Sequence, residues 1–232
     1  SVGCANNHAP MWPASDDPAD VGATKLFDAV WNALFLEPML LGRYPVDLMP
    51  LFEDVMVDGD LATIRQPLDF YGVNYYNPMK IAAADEDSEM PFDFREVVGY
   101  PTTDLGWPIV PDALREWLVM FRARFRAALP PIMITESGCS YGMGPDADGV
   151  VDDQPRIDYL RSHVQAVAEA VQRGVDVRGY YTWSLVDNFE WSEGYTQRFG
   201  LVHVDYETQV RTPKRSFDWY AELIRAQTPG QG

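Results

Sequence analysis

Four short apolar runs alternate along the chain with four longer segments in which apolar residues recur every three or four positions. The runs have the length of β-strands, and the longer segments have the period of amphipathic α-helices. We therefore predict strands near residues 1–7, 69–76, 131–136 and 177–185. We predict helices over residues 16–36, 111–126, 155–172 and 214–226. The strand-then-helix order indicates an α/β fold with a parallel sheet covered by helices.

The number of strands limits the architecture. Four parallel strands do not close into a barrel, so both edges of the sheet would stay unpaired. A doubly wound open sheet is one alternative, but the chain has neither the GxGxxG nor the P-loop spacing of nucleotide-binding turns. Half of an eight-stranded (β/α)8 TIM barrel agrees better with the pattern. We interpret residues 1–232 as a single, incomplete domain.

The remaining segments carry weaker signals. They are residues 46–65 as short helical pieces, residues 200–206 as a small extra strand and residues 228–232 as a frayed tail. The connection of roughly 30 residues after the second strand is acidic around 85–89, and we expect a functional or disordered loop there. The glycine-rich loop 137–154 contains Asp146, Asp148 and Asp152, but these do not follow the EF-hand pattern. We expect a solvated loop there rather than a calcium site.

Polar and aromatic side chains gather where the predicted strands end. Asn74 and Tyr76 close the second strand, Glu136 closes the third, and the acidic and aromatic stretch 187–191 follows the fourth. Barrel enzymes keep their catalytic groups at the carboxyl ends of their strands. By itself, Glu136 is as consistent with a solvated charge as with a catalytic carboxylate.

Composition narrows the range of ligands. The 232 residues carry a net charge of −17, which argues against nucleic acid and against an anionic membrane as partners. Aromatic residues make up 13% of the chain, a content that suits stacking on sugar rings but equally suits a packed core. No Cys or His spacing suggests zinc, and we predict neither a metal nor a cofactor.

The expected compartment follows from the cysteines and from the lengths of the apolar runs. Cys4 and Cys139 are too few for a disulfide framework, which favours a reduced, cytoplasmic setting. No apolar run approaches the roughly 18 residues of a membrane span, and no signal peptide is visible. Because the chain begins at Ser1 without methionine, we expect either processing or an origin as the later part of a longer polypeptide.

Several motifs occur in the order and spacing of a known family. They are Gly72-Val73-Asn74-Tyr75-Tyr76, Gly106-Trp107, Thr135-Glu136-Ser137-Gly138, Trp183-Ser184-Leu185-Val186-Asp187-Asn188-Phe189-Glu190-Trp191 and Arg198-Phe199-Gly200-Leu201-Val202. Through them the chain resembles the family 1 glycoside hydrolases of the β-glucosidase type, from its first residues to about Tyr220. The resemblance implies a (β/α)8 barrel that cleaves β-linked sugars with retention. This chain would supply about strands five to eight.

The resemblance assigns one half of a two-carboxylate mechanism to this chain. Glu136 matches the family's nucleophile, and Tyr76 matches the tyrosine whose hydroxyl orients that nucleophile and helps keep it ionised. Retaining hydrolysis also needs an acid/base carboxyl about 5–5.5 Å away, which the family takes from an Asn-Glu-Pro motif on strand four. The Glu37-Pro38 pair follows Leu36 at a helix end and is not that motif. The implied partner is the missing N-terminal half of the barrel, in the same polypeptide or in a separate chain.

Six further residues match family positions that contact or support the sugar. Glu190 corresponds to the carboxylate that accepts hydrogen bonds from two hydroxyls of the glycone. Because a carboxylate there would repel phosphate, the resemblance implies an unphosphorylated glucoside or galactoside. The others are the wall or platform residues Trp183, Trp191, Trp107 and Phe199, and the supporting Asn74. An ordinary core or loop role stays open for Trp183, Trp191, Trp107 and Asn74, and Tyr75 is expected to be packing.

Two residues beside the nucleophile need comment. Ser137 stands where the family usually has asparagine, and its hydroxyl can still form a hydrogen bond, so we expect tuning rather than loss of activity. Cys139 has no histidine in a nearby motif, and we interpret it as a small loop filler rather than as a nucleophile.

These observations predict a retaining β-glycosidase, similar to β-glucosidases, that forms a covalent glycosyl-enzyme on Glu136 and needs the missing half of the barrel. This chain alone should be nearly inactive. One alternative is a non-catalytic half-barrel that self-associates and at most binds sugar weakly. Another is a thioglucosidase-like relative in which the acid/base residue is replaced.

Overall fold

The structure, a computed structural model, describes residues 1–227. The predicted frayed tail at residues 228–232 lies outside the described residues. The strands of the described part are β1 (Gly3–Asn7), β2 (Met11–Pro13), β3 (Phe70–Asn74), β4 (Met79–Ala83), β5 (Phe92–Arg95), β6 (Ile132–Ser137), β7 (Val177–Thr182), β8 (Val202–Val204) and β9 (Arg211–Pro213).

The helices of the described part lie between β2 and β3, between β5 and β6, between β6 and β7, and after β9. They are α1 (Pro18–Asp28), α2 (Leu34–Leu41), α3 (Asp60–Ile64), α4 (Pro111–Phe125), α5 (Gln154–Gln172) and α6 (Arg215–Gln227). Short 3₁₀-helical segments lie at Val46–Leu51, Arg126–Ala128 and Trp191–Glu193. No helix within residues 1–227 is long and apolar enough to cross a membrane.

The predicted parallel sheet is present. Strands β1, β3, β6 and β7 pair in that order, and every pair is parallel. Tyr71 of β3 lies opposite Cys4 of β1 on one side and opposite Ile132 of β6 on the other. Since β1 and β7 each have one neighbour in this sheet, both are edge strands. The predicted strands 69–76 and 177–185 extend past their observed ends at Asn74 and Thr182.

The main core lies between this sheet and helices α4 and α5. Tyr71, Val73 and Ile134 are fully buried because alternate residues of a strand point to the same face. They pack against the apolar stripes of the two helices, formed by Leu114, Trp117, Leu118, Phe121, Val167 and Ala170. The half-buried Asn74 and Thr135 each follow one of these residues in sequence, so their polar side chains lie on the opposite face of the sheet.

The prediction of a long loop after the second strand is wrong. That stretch contains β4 and β5, which form a second sheet of three strands in the order β2-β4-β5. Phe92 of β5 and Ile81 of β4 are buried against Phe27 of α1, and this tertiary contact stabilises strands that are too short to be identified by their pattern alone. The small strand predicted at residues 200–206 is confirmed as β8, which pairs antiparallel with β9.

The first predicted helix begins as expected but ends later. Asp17 caps α1 by accepting a hydrogen bond from the Ala19 backbone N–H at 2.8 Å. The helical backbone passes through a π-helical stretch at Ala29–Ala33 and continues as α2, beyond the predicted end near Leu36. Gly42 ends it in the left-handed conformation, with a φ of 68°, that glycine adopts without strain.

Candidate active site

The carboxyl ends of β3 and β6 bring the predicted nucleophile and its tyrosine together. Tyr76 follows β3, Glu136 is the next-to-last residue of β6, and Asn74 pairs with Glu136 in the sheet register. The Tyr76 hydroxyl donates a hydrogen bond to Glu136 Oε2 at 2.7 Å. Both side chains are half-buried, so Glu136 combines a fixed orientation with access to a ligand.

The environment of Tyr76 keeps its hydroxyl protonated, so that it acts as a hydrogen-bond donor. Burial raises its pKa far above the ordinary value, and the hydrogen bond to Glu136 together with the charge of that carboxylate raises it further. Its ring packs edge-on against Trp107, with centroids 5.1 Å apart, and against Phe199, at 6.3 Å. Two other predicted site residues therefore hold the ring in place.

Asn74 and Tyr75 point to different neighbours. The Asn74 Oδ1 atom accepts a hydrogen bond from the Thr135 hydroxyl at 2.6 Å, which links the ends of β3 and β6 beside Glu136. Tyr75 is fully buried and donates its hydroxyl to the Val110 carbonyl at 2.9 Å. Asn74 thus supports the strand ends near the predicted nucleophile, whereas Tyr75 belongs to the core.

The turn after Glu136 approaches the end of β7 very closely. A side chain on Gly138 would collide with the backbone carbonyl of Trp183. The Trp183 N–H donates to the Ser137 carbonyl at 3.0 Å, and the Trp183–Ser184 peptide bond is cis. Only glycine permits this approach, which places Trp183 next to the loop that follows Glu136.

Glu190 is held by the same tryptophan. The Trp183 indole Nε1–H donates to Glu190 Oε1 at 3.0 Å. Burial raises the pKa of Glu190, hydrogen bonds from Trp183 and Asn188 oppose that rise, and the charge of Glu136 adds to it. Trp107 and Phe199, which pack against Tyr76, also line a cleft with Glu190, so the two carboxylates lie in one region of the molecule.

A cleft of about 360 Å³ collects the other predicted residues. It is lined by Leu105, Trp107, Glu190, Trp191, Ser192, Glu193 and Phe199. Trp191 is 84% exposed and therefore not a core residue, while Phe199 is 3% exposed and forms a wall. A larger cavity of about 770 Å³ lies between α1, α2 and α4 and is lined by residues such as Asp28, Glu37 and Trp117, away from these side chains.

The residues that follow Glu136 are buried. Cys139 is fully buried, and burial raises the pKa of its thiol to about 12, so it is a protonated, inaccessible group. The Ser137 hydroxyl lies 3.4 Å from the Tyr159 hydroxyl, within the same interior. Within residues 1–227 no group of three His, Cys, Asp or Glu side chains is arranged to hold a metal ion. Asp146, Asp148 and Asp152 are exposed.

Sequence reasoning missed a buried arginine that ties the site loops together. Arg156 of α5 forms an ion pair with Asp153 at 2.9 Å, and both side chains are buried. Its guanidinium also donates to the carbonyl of Cys139, to that of Phe199 at 3.0 Å and to that of Arg198 at 2.9 Å. The one signal in the sequence is a charged residue on the apolar face of a predicted helix, since such a residue needs buried partners.

Comparison with known proteins identifies the family to which this sequence is similar. The family model for glycosyl hydrolase family 1 matches residues 1–229. The chain is 42% identical over 230 residues to a β-glucosidase of Agrobacterium sp., with 96% of this chain and 49% of the relative covered. It is 42% identical over 226 residues to a bifunctional β-D-glucosidase/β-D-fucosidase of Bifidobacterium breve, with 88% and 48% covered.

Solved structures show the same likeness. The psychrophilic β-glucosidase BglU from Micrococcus antarcticus superposes with a TM-score of 0.91 at 38% identity, covering 98% of this chain and 53% of that one. This chain spans about half the length of the curated relatives it matches. Its four parallel strands and their helices correspond to a half-barrel of that fold. The chain belongs to glycosyl hydrolase family 1.

Proposed function

We propose that this chain is the nucleophile-bearing half of a retaining β-glycosidase similar to β-glucosidases. The observation that carries the proposal is a pair of carboxylates at neighbouring strand ends, each held by an aromatic donor. Tyr76 donates to Glu136 at 2.7 Å, and Trp183 donates to Glu190 at 3.0 Å. One carboxylate is then oriented for chemistry and the other for binding, beside a cleft with aromatic walls.

In the first chemical step, a Glu136 carboxylate oxygen attacks the anomeric carbon and forms an ester bond to it. The bond from that carbon to the leaving oxygen breaks, and the acid/base carboxyl of the missing half donates a proton to this oxygen. In the second step that carboxylate takes a proton from water, which displaces Glu136 from the anomeric carbon. The two inversions give net retention. Tyr76 stabilises Glu136 as an oriented anion before the first attack, and again as Glu136 leaves the anomeric carbon in the second step.

The proposed substrate is an unphosphorylated β-glucoside or a related glycoside. Glu190 accepts hydrogen bonds from hydroxyls of the glycone, and its negative charge disfavours a phosphorylated sugar. Trp183, Trp191 and Trp107 offer apolar faces to the sugar and to its aglycone. The names of the relatives agree with this class, since one is a β-glucosidase and another acts as both β-D-glucosidase and β-D-fucosidase.

The proposed partner is the other half of the barrel. It would pair with the edge strands β1 and β7 and contribute the acid/base carboxyl that this chain lacks. We propose that residues 1–232 form one incomplete domain, nearly inactive alone, and that the enzyme works in the cytoplasm, where its two free cysteines stay reduced. Neither nucleic acid nor a membrane is a proposed partner, given the net charge of −17.

The test uses an assembled enzyme, defined as this chain co-expressed with the half of the Agrobacterium relative that it does not match. We expect the assembled enzyme to cleave a chromogenic β-glucoside and Glu136→Gln to abolish turnover. A 2-fluoro glucoside with a good leaving group should glycosylate the wild-type protein, because the fluorine slows hydrolysis of the glycosyl-enzyme. Peptide mapping by mass spectrometry should place the adduct on Glu136.

The matched control is Glu37→Gln, which removes an ion-paired carboxylate of α2 that contacts Arg124 and Arg43. We expect the Glu37 variant to keep wild-type turnover. Turnover by Glu136→Gln at the wild-type rate, or an adduct on another residue, would refute the assignment of the nucleophile.

The open edges of the sheet favour a second candidate, a half-barrel that self-associates. Tyr181 on edge strand β7 is 58% exposed, and a second copy would cover it. Sedimentation of the purified chain distinguishes the candidates. A stable dimer that neither binds the complementary half nor gains activity with it favours self-association over the enzyme.

A further inference from the structure

The loop that carries Glu190 contains a buried acidic residue for which the proposed chemistry has no use. Asp187 lies three positions before Glu190 and is 4% exposed. Burying a carboxylate is costly unless several donors satisfy it. The structure of the loop must therefore supply donors that satisfy the buried Asp187 carboxylate.

Four donors converge on this carboxylate. The Oδ1 atom accepts from Lys214 Nζ at 2.9 Å and from the Gly200 backbone N–H at 2.9 Å. The Oδ2 atom accepts from Arg198 Nη1 at 2.8 Å and from the Val204 backbone N–H at 3.3 Å. A fully satisfied, charged and buried cluster of this kind has one low-energy geometry, because each displaced donor would lose a charge-assisted hydrogen bond.

The donors come from elements outside the loop. Lys214 immediately precedes α6 and is buried, and burial lowers its pKa to about 8, so it remains largely protonated at neutral pH. Burial would raise the pKa of Asp187, but the Lys214 charge and the hydrogen bonds hold it below the ordinary value. The pair therefore joins the Glu190 loop to the start of α6 as two opposite charges.

The backbone of the loop is fixed to the same segment. The Asp187 N–H donates to the Val202 carbonyl at 3.0 Å, and the Ser184 N–H donates to the Phe199 carbonyl at 3.1 Å. Gly200 lies so close to the backbone at Val186 and Asp187 that a side chain there would collide with it. The loop between Trp183 and Glu190 is thereby clamped at its midpoint.

We propose that Asp187 is a positioning residue that holds Glu190 against the Trp183 indole by fixing the loop to residues 198–204 and to the start of α6. The purpose of holding Glu190 there, which is recognition of the glycone, rests on the proposed function. An asparagine at 187 has the same shape, but its amide nitrogen faces Lys214 or Arg198 and can no longer accept from two donors on each side.

The first test needs no activity and uses the chain itself. The Trp183 indole N–H resonance, identified by its loss in Trp183→Phe, should exchange slowly with solvent because it donates to Glu190. In a folded Asp187→Asn variant we expect exchange about tenfold faster. Glu190→Gln serves as the reference for a weakened acceptor, and Glu37→Gln is the matched control that should exchange at the wild-type rate. Unchanged exchange in folded Asp187→Asn overturns the proposal.

If Asp187→Asn does not fold, Lys214→Met replaces it. This variant removes one of the four donors and leaves the carboxylate three partners, so we expect a smaller increase in exchange, about threefold. An exchange rate equal to that of the wild type in Lys214→Met likewise overturns the proposal.

The second test measures coupling in the assembled enzyme. If Asp187 acts through Glu190, Asp187→Asn should raise KM for a β-glucoside more than it lowers kcat. The double variant with Glu190→Gln should then be no worse in kcat/KM than Glu190→Gln alone. A purely structural role would multiply the two losses instead. An inactive wild-type assembly would count against the proposed function, while the exchange measurement still decides the role of Asp187.

Discussion

Acid should destabilise this chain through a buried histidine, and the structure permits the size of the effect to be worked out. His8 follows β1 and is 1% exposed. Asn32 uses both amide hydrogens as donors, to the Ala9 carbonyl at 2.9 Å and to Asp28 Oδ1 at 2.8 Å. Its Oδ1 atom must therefore accept from His8 Nδ1–H, at 2.9 Å.

The other ring nitrogen of His8 is then an acceptor. His8 Nε2 accepts from the Tyr71 hydroxyl at 2.8 Å, so the network is complete with a neutral imidazole. Protonation would place a second hydrogen between these atoms and a charge in the core. Burial accordingly lowers the pKa of His8 from 6.5 to about 4, although the Asn32 hydrogen bond and the Asp28 charge oppose the change.

The direction of the pH effect on stability follows from the protonation of His8 in the folded and in the unfolded chain. Above pH 6.5 the imidazole is neutral in both, and its contribution to stability is complete. Between pH 6.5 and 4 the unfolded chain binds a proton at this residue and the folded chain does not. The free energy of unfolding therefore decreases as the pH is lowered through this range. At about 1.36 kcal/mol per pH unit, the full loss from His8 is about 3.4 kcal/mol. That is a large part of the 5 to about 15 kcal/mol typical of a folded domain.

Urea unfolding at a series of pH values from 7 to 4 tests this on the wild type and on His8→Gln. The variant should be less stable at pH 7 because the network is broken, yet the gap between the two proteins should narrow by about 3 kcal/mol as the pH falls to 4. Asn32→Ala is the matched control, since it breaks the same network but keeps the titrating group and therefore the wild-type slope. A gap between wild type and His8→Gln that stays constant from pH 7 to 4 would refute the reasoning.

Three further predictions concern Tyr76, the turn after Glu136 and the burial of the cysteines. In the assembled enzyme, Tyr76→Phe should lower kcat for a β-glucoside by about tenfold to a hundredfold with little change in KM, because the lost hydrogen bond orients Glu136; an unchanged kcat contradicts this role. Gly138→Ala should reduce the free energy of unfolding by about 3 kcal/mol or more, measured by denaturant titration, because the added methyl meets the Trp183 carbonyl; near-wild-type stability would show that the turn can relax. A thiol reagent should label the partly exposed Cys4 at least about tenfold faster than the buried Cys139 in the folded chain; equal rates would contradict the burial of Cys139.

Much of the site could be anticipated because parallel strands end at one edge. Tyr76 and Glu136 are 60 residues apart, yet both follow apolar runs interpreted as neighbouring strands, and the structure brings them into contact. The same reasoning predicts that Glu190 follows the fourth strand of the parallel sheet. The family resemblance then indicated which polar residues at these ends to compare.

Other features had no local signature. Strands β4 and β5 form within a stretch expected to be a loop, because the buried contact of Phe92 and Ile81 with Phe27 outweighs a weak pattern. Asp187 and Lys214 are 27 residues apart, and no periodicity relates an acidic loop residue to a lysine that precedes the last helix. Pairings of this kind depend on the three-dimensional path of the chain.

Local patterning was sufficient for the four strands of the parallel sheet, the main helices that follow them and the polar strand ends, because side-chain periodicity reflects which face of an element is buried. Only the tertiary structure decided how the Glu190 loop is held, which carboxyl oxygen each donor meets and which tautomer His8 adopts. These depend on distances between segments remote in sequence. A buried charge is stable only when such segments deliver its partners together.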